Sequence, residues 1–410
     1  MTKNLTKLWA GGMQRLLAIQ NRVAHVALRE AGRRAPEAQA MWRNAKTAVA
    51  QAAAAAATAA ATATAPAASE GHEAEDVRTP APRSGPPMRE SRVGPRAAAW
   101  TAGEWLRAEH LAPGASRALA YGLYVPPDWP TADMPLVVML HGCKQTMDSF
   151  AEGTRMNLLA DKHGFAVAYP EQSMQAHPHQ CWHWYDARQP AGGGEAAAIV
   201  SLVDALVQEH GFDRSRVYLA GLSAGAGLAS MLAVHAPGRF AAVALHSGPA
   251  FGEAHSGVAA LDVMRRGLHH DPVTLVERAL AGRAHSGMPA LIVHGDADAV
   301  VAPVNAEQLA TQFLRLNGLA DSQGVRKGVV SHEHDGEGYT VQSFARDGAS
   351  VVRLCRVGAL DHAWSGGDDA VPFHSATGPD ASAMIWEFFE NQRREAVDDA
   401  FGGELAVGVG

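Results

Sequence analysis

A serine, an aspartate and a histidine follow one another along this chain in settings that suit nucleophilic catalysis. Ser223 lies in the Gly-Leu-Ser-Ala-Gly sequence of 221–225, directly after a strand-like run at 216–220 and before a stretch of small residues typical of a helix. A Gly-x-Ser-x-Gly sequence between a strand and a helix predicts a nucleophile elbow, a sharp turn that holds the serine hydroxyl above a sheet. Its two glycines are expected because the strand and the helix approach too closely for side chains there.

A serine hydroxyl is a weak nucleophile at neutral pH, so it needs a base and an acid that orients the base. Asp298 lies in the loop after the apolar run 291–294, and His362 lies in the loop after a second strand-like run. The carboxyl end of a parallel strand is the usual place for such a carboxylate. The order Ser, Asp, His along the chain is that of the α/β-hydrolases. We predict Ser223 as nucleophile, His362 as base and Asp298 as acid, with Asp296 as the second choice for the acid.

Each of these residues has an alternative interpretation. The chain has 20 histidines, most of which serve no chemistry, and an aspartate after a strand is usually a turn former. The agreement of strand, loop and chain order favours the catalytic interpretation.

Acyl transfer also needs N–H groups directed at the developing oxyanion. An apolar run at 135–140 predicts a strand, and His-Gly-Cys follows it at 141–143. In an α/β-hydrolase this loop supplies one backbone N–H, and the residue after the nucleophile supplies the other. We therefore assign the oxyanion hole to the N–H groups of Cys143 and Ala224. The alternative is an ordinary strand-to-loop turn.

Strand and helix patterns alternate from about residue 98 onward. This alternation predicts an α/β protein with a doubly wound, mostly parallel sheet, the α/β-hydrolase fold, over residues 98–410. The stretch 249–288 has an irregular pattern and falls where such enzymes often carry a cap.

The motifs resemble the polyhydroxybutyrate (PHB) depolymerase family of esterases, whose relatives include feruloyl and acetylxylan esterases. The matching segments span roughly residues 110–392 and follow the family order at 140–143, 181–185, 221–225, 294–298, 362–367 and 378–382. The chain has His183 where the family usually has Asn, and Lys144 where the family usually has a small or hydroxyl residue. The resemblance implies a serine esterase that forms an acyl-enzyme. It also implies a disulfide between Cys143 and Cys181 beside the active site, whereas Cys355 is expected in the core.

Three tryptophans lie in loops next to the proposed catalytic elements: Trp182, Trp184 and Trp364. Aromatic rings at a cleft offer flat apolar surface to an acyl chain or a phenolic ring. We expect them to contact substrate, with core packing as the alternative.

One segment has a pattern that a metal site would also show. Four metal-capable side chains alternate along it, at His177, His179, Cys181 and His183. The intervening Pro178 and the lack of distant partner ligands argue against a metal site. We expect neither a metal nor a cofactor.

The amino-terminal region differs from the rest of the chain in composition. Residues 1–47 are predicted to form a basic amphipathic helical arm. This arm either binds an interface or a partner, or packs on the body of the protein. Polar residues that interrupt its apolar stretches argue against a secretory signal. Residues 48–97 are rich in Ala, Thr, Pro and charged residues, a composition that predicts a linker. The helical periodicity rests on Leu5, Leu8, Trp9, Met13, Leu16, Leu17, Val23 and Val26.

Charge and hydropathy exclude some partners. The formal net charge is −7, although residues 1–50 carry nine Lys or Arg against two Glu, so the body is more acidic than the total indicates. An acidic body argues against a nucleic-acid partner. A transmembrane helix needs about 18 consecutive apolar residues. Outside the alanine tract, every apolar stretch of that length is interrupted by charged or polar residues, so we predict no transmembrane segment.

These observations lead to a functional expectation with two alternatives. We expect a serine esterase acting on PHB or on short hydroxyalkanoate oligomers. The chain ends soon after the last predicted helix at 382–391, so we expect no appended polymer-binding domain and a cytoplasmic, granule-associated enzyme whose 1–47 arm contacts the granule. One alternative is an extracellular feruloyl or acetyl esterase acting on plant cell-wall esters. The other is a granule-surface coat protein without catalysis.

Overall fold

The structure is a computed structural model, and it describes residues 102–186, 193–327 and 329–394. The predicted arm at 1–47 and linker at 48–97 lie outside the described residues. The domain boundaries therefore stay predictions.

Ten strands form one sheet in the described part of the chain. In spatial order they run β1-β2-β4-β3-β5-β6-β7-β10-β9-β8. The six strands from β4 to β10 in that order are parallel to one another, and the strands at both edges pair antiparallel. The strands are β1 (Glu104–His110), β2 (Leu119–Val125), β3 (Leu136–Leu140), β4 (Ala166–Glu171), β5 (Val217–Leu222), β6 (Ala242–His246), β7 (Ala290–Gly295), β8 (Val330–Gly336), β9 (Tyr339–Arg346) and β10 (Ala349–Val357).

Helices cover both faces of the sheet. Two apolar clusters result, one on each side, with α3, α4, α5, α6 and α7 on one face and α1, α2 and α8 on the other. The helices are α1 (Met147–Thr154), α2 (Met156–His163), α3 (Gly194–His210), α4 (Ala224–His235), α5 (Gly257–Arg266), α6 (Pro272–Leu280), α7 (Val304–Leu316) and α8 (Ala381–Phe389). The predicted doubly wound α/β sheet is confirmed.

The central strands explain why the sequence folds this way. Every residue of β3, β5, β6 and β7 is buried. A parallel strand covered by helices on both faces must be apolar throughout, which is the continuous apolar pattern these segments have. Their carboxyl ends meet at one edge of the sheet, where the predicted catalytic loops begin.

The segment 249–288, whose sequence pattern is irregular, contains two helices. This segment connects β6 to β7 and forms α5 and α6, with α6 packed against α7 and α4. Both helices have caps that the sequence contains: the side chain of Ser256 accepts from the N–H of Ala259, and that of Asp271 accepts from Thr274. The cap role of this segment stays a prediction.

The turn between β5 and α4 has the geometry expected of a nucleophile elbow. Ser223 has φ 56° and ψ −118°, a strained conformation for a residue with a side chain. A Cβ atom on Gly225 would lie 2.1 Å from the carbonyl oxygen of Leu140, and one on Gly221 would lie 2.5 Å from the carbonyl carbon of Gly225. Both positions therefore require glycine for steric reasons.

Gly225→Ala tests this close approach. Because the new methyl group would overlap the backbone of β3, we expect the free energy of unfolding to fall by about 3 kcal/mol or more. Denaturant unfolding followed by circular dichroism measures it. Gly238→Ala is the matched control, since no heavy atom lies within 4 Å of its added Cβ atom. Equal stability of both variants would contradict the steric argument.

Candidate active site

His362 lies between Ser223 and Asp298. Its Nε2 atom is 2.9 Å from Oγ of Ser223, and its Nδ1 atom is 2.7 Å from Oδ2 of Asp298. An ionised carboxylate can only accept, so Nδ1 carries the proton and Nε2 is left to accept from the serine hydroxyl. This is the tautomer that a general base for Ser223 needs.

The surroundings of Asp298 keep its carboxylate charged and oriented. Its Oδ1 atom accepts from the N–H groups of Val300 (2.9 Å) and Val301 (2.8 Å). Burial alone would raise the pKa of Asp298, but the hydrogen bonds from His362 and from the N–H of Val301 hold that pKa below its ordinary value. The carboxylate is thus ionised at neutral pH and opposes an imidazolium charge on His362.

Asp296, the second choice for the acid, has a different partner. Its Oδ1 atom accepts from the N–H of Ala359 at 2.7 Å. Ala359 has φ 57° and begins the loop that reaches His362. Asp296 therefore braces the histidine loop, whereas Asp298 contacts the imidazole.

The loop after β3 lies directly against the serine. A Cβ atom on Gly142 would be 3.4 Å from Cβ of Ser223. Cys143 is the next residue, and Ala224 is the first residue of α4, whose amino end carries partial positive charge. Within the described residues neither the N–H of Cys143 nor that of Ala224 donates to a protein acceptor. Both N–H groups are therefore available to an oxyanion.

A disulfide ties the loop after β3 to a second loop. Cys143 and Cys181 are bonded, with 4.3 Å between their Cα atoms. Beside the bond, the N–H of Lys144 donates to the carbonyl of His179 at 2.7 Å. One segment, 179–181, thus holds both Cys143 and Lys144 in place, although it lies far from them in the sequence.

His141 supports the same loop from the core. Its Nδ1 atom donates to the carbonyl of Gly142 (2.7 Å), and its Nε2 atom accepts from the N–H of Gln172 (3.0 Å). Burial lowers the pKa of His141 to about 4, so the ring is neutral at neutral pH and can make both hydrogen bonds. The indole N–H of Trp182 donates to the carbonyl of His141 at 3.0 Å.

The three tryptophans predicted to contact substrate are buried, which favours the alternative of core packing, and substrate contact stays a prediction. Trp182, Trp184 and Trp364 are 1%, 4% and 0% exposed. Trp364 stacks on His246 with 5.0 Å between ring centroids, and Trp184 packs over Gly227. These rings fill the space beneath the catalytic loops, because large apolar surface next to closely packed loops is most stable in the core.

The alternating histidine segment takes part in loop contacts. The sulfur of Cys181 is in the disulfide and is not a free thiolate. Nδ1 of His177 accepts from the N–H groups of His179 (3.1 Å) and Cys181 (3.3 Å), and Nδ1 of His183 lies 2.7 Å from Oε1 of Glu195. These histidine side chains therefore stabilise the loop that carries the disulfide.

Sequence reasoning missed two buried histidines next to the triad. Nε2 of His294 donates to the carbonyl of Val301 (2.9 Å) and lies 3.5 Å from Oδ2 of Asp298. Nε2 of His246 accepts from the N–H of Ser365 (3.1 Å), and burial lowers the pKa of His246 well below its ordinary value. Both residues stand at the carboxyl ends of β6 and β7, next to predicted catalytic loops, which was the signal available in the sequence.

Comparison with known proteins identifies the family. The family model described as esterase PHB depolymerase matches residues 119–335, more than half of the chain. The chain belongs to this family. The match includes Ser223 and Asp298 and ends before His362, which the geometry adds. The predicted resemblance is confirmed.

Individual relatives agree with this assignment. Poly(3-hydroxyalkanoate) depolymerase C of Paucimonas lemoignei is 34% identical over 215 residues, which are 52% of this chain and 51% of that protein. Feruloyl esterase B of Thermothelomyces thermophilus is 32% identical over 243 residues, 55% of this chain and 81% of that protein. The chain thus spans about half the length of the depolymerase.

A solved structure agrees with the fold. An acetyl xylan esterase from Aspergillus awamori is similar with a TM-score of 0.56 and 20% identity, covering 70% of this chain and 99% of that one. This similarity supports the α/β-hydrolase fold. Among the described residues, no helix is both long and apolar enough to cross a membrane.

The double variant Cys143→Ala/Cys181→Ala tests what the disulfide does. The bond closes a segment with a sequence separation of 38, for which chain entropy gives about 4 kcal/mol of stabilisation. We also expect a lower kcat, because the N–H of Cys143 loses one anchor. Denaturant unfolding and steady-state ester hydrolysis measure the two effects. The reductant dithiothreitol should affect the wild type and leave the double variant unchanged, and a normal kcat in the double variant would make the bond purely structural.

Proposed function

We propose that this protein is a carboxylic ester hydrolase with Ser223 as nucleophile. The observation that carries the proposal is the hydrogen-bonded series from Asp298 through His362 to Oγ of Ser223, beside two N–H groups without protein acceptors in the described structure. Family membership supports the same reaction class.

The geometry supplies each step of acyl transfer. Nε2 of His362 takes the proton of Ser223 as Oγ attacks the ester carbonyl, and Asp298 stabilises the resulting imidazolium. The N–H groups of Cys143 and Ala224 donate to the oxyanion of the tetrahedral intermediate. His362 then gives its proton to the leaving alcohol, and an acyl-enzyme remains. Water attacks that ester by the same route and releases the acid.

For the substrate we propose PHB or short hydroxyalkanoate oligomers. The similarity to the poly(3-hydroxyalkanoate) depolymerase supports this choice. A feruloyl or acetyl esterase is the second candidate, favoured by the 81% coverage of feruloyl esterase B. Hydrolysis of PHB granules, p-nitrophenyl butyrate and methyl ferulate, measured side by side, separates the two. Turnover of any ester excludes the coat-protein alternative.

The compartment is part of the proposal. The expectation from the sequence was a cytoplasmic, granule-associated enzyme. The bond between Cys143 and Cys181 favours an oxidising compartment, since the cytosol normally keeps thiols reduced. The disulfide therefore supports the extracellular alternative, in which the same site would act on polyester particles.

The triad roles make a quantitative prediction. Ser223→Ala should lower kcat roughly 10⁴- to 10⁶-fold in a folded protein, because triad members act as a unit. Asp298→Asn should lower kcat about 10⁴-fold, because the amide favours the wrong tautomer of His362. Hydrolysis of p-nitrophenyl butyrate measures both. Asp296→Asn is the matched control, and a larger loss there than in Asp298→Asn would reverse the choice of acid.

The arm is proposed to hold the catalytic body on a polyester surface. Its basic, periodically apolar composition suits an amphiphilic surface, and tethering raises the local concentration of ester without changing the chemistry. Deletion of residues 1–97 should lower granule binding and granule hydrolysis severalfold and leave hydrolysis of soluble p-nitrophenyl butyrate nearly unchanged. Equal losses on both substrates would show that the arm is structural.

A further inference from the structure

One cationic side chain next to the oxyanion loop has no use in the mechanism above. Lys144 directly follows Cys143, is exposed, and has φ 66°. The left-handed region is unfavourable for a residue with a long side chain, and such conformations cluster at functional sites. The structure keeps Lys144 there through the disulfide of the preceding residue and the bond from its own N–H to His179.

The ammonium group of Lys144 has no anionic partner within the described residues. No carboxylate of that part of the chain lies within 4 Å of it, whereas Arg107 and Arg155 pair with aspartates. Ion pairing within the described residues therefore gives this ammonium group no structural role. The body of the protein is acidic, so this charge also opposes the general repulsion of an anionic substrate.

The reach of the side chain matches the chemistry of one substrate class. Adjacent Cα atoms are about 3.8 Å apart, and a staggered four-carbon stem carries the ammonium about 6 Å from its Cα. In a 3-hydroxyalkanoate oligomer cleaved at its last ester bond, the free carboxylate lies about 5 Å along the chain from the scissile carbonyl. The alcohol side of an acetylated or feruloylated sugar carries no such charge.

We propose that Lys144 binds the terminal carboxylate of a hydroxyalkanoate oligomer and so directs cleavage to the ester bond at its carboxyl end. This inference rests on the proposed esterase function of Ser223. It makes Lys144 a specificity-determining residue, and it favours short anionic oligomers over neutral esters of the same acyl group.

The test compares the linear dimer of 3-hydroxybutyrate as its free acid with the methyl ester of that dimer, using the full chain. The readout is the ratio of kcat/KM for the acid to that for the methyl ester. Lys144→Gln should lower this ratio about twofold to fivefold, the upper part of the range for an exposed ion pair, and Lys144→Arg should retain it. About 0.5 M NaCl should lower the wild-type ratio and leave that of Lys144→Gln unchanged, because salt screens exposed charges.

Lys162→Gln is the matched control. Lys162 is also exposed, and it lies just before β4, at the amino ends of the parallel strands. The catalytic loops follow the carboxyl ends, so Lys162→Gln removes the same charge far from the site. A similar fall of the ratio in Lys162→Gln would reduce the effect to net charge and overturn the proposal.

The remaining outcomes separate this inference from the proposed function. An unchanged ratio in Lys144→Gln, together with normal hydrolysis of p-nitrophenyl butyrate, overturns the role of Lys144 alone. If the wild type hydrolyses p-nitrophenyl butyrate but neither dimer, the role of Lys144 alone is likewise overturned. A wild-type protein that hydrolyses none of the three esters overturns the proposed function and this inference together.

Discussion

The close approach of β3, β5 and α4 is the constraint on which the site depends. Gly225 allows the carbonyl of Leu140 to lie against the first turn of α4, and Gly221 allows the same turn to lie against β5. This contact forces Ser223 into its strained conformation and brings the loop at Gly142 against the serine side chain. The nucleophile and the proposed oxyanion donors are therefore placed by one packing contact.

Three buried histidines support the catalytic loops without carrying net charge. His141, His246 and His294 are buried, and burial lowers the pKa of each, so they act as neutral donors and acceptors for backbone groups. A charged imidazole at His246 or His294 would interact with Asp298 and compete with His362 for it. Neutral imidazoles support the loops while leaving the charge of Asp298 to the catalytic histidine.

The loop side of the site is held by bonds between distant segments. The disulfide joins Cys143 to Cys181, and Glu195 at the start of α3 accepts from the backbone N–H of His183 at 2.7 Å. Such cross-links restrict the loops that would otherwise be the most mobile part of the fold. An oxyanion hole needs this rigidity, because donors that must reorganise during the reaction stabilise the transition state less.

Local patterns in the sequence determined the fold class and the candidate triad. Continuous apolar runs predict buried parallel strands, and the positions of Ser223, Asp298 and His362 after such runs predict that they meet at one sheet edge. Only the tertiary structure distinguished Asp298 from Asp296, since both follow β7 and the difference lies in which carboxylate faces His362. It also showed that Trp182 and Trp364 are buried, because the sequence places them beside the site but does not show which side of a loop faces the core. The sequence did not predict the role of His246 either, because its partner is the N–H of Ser365, which reaches it only after the chain has packed.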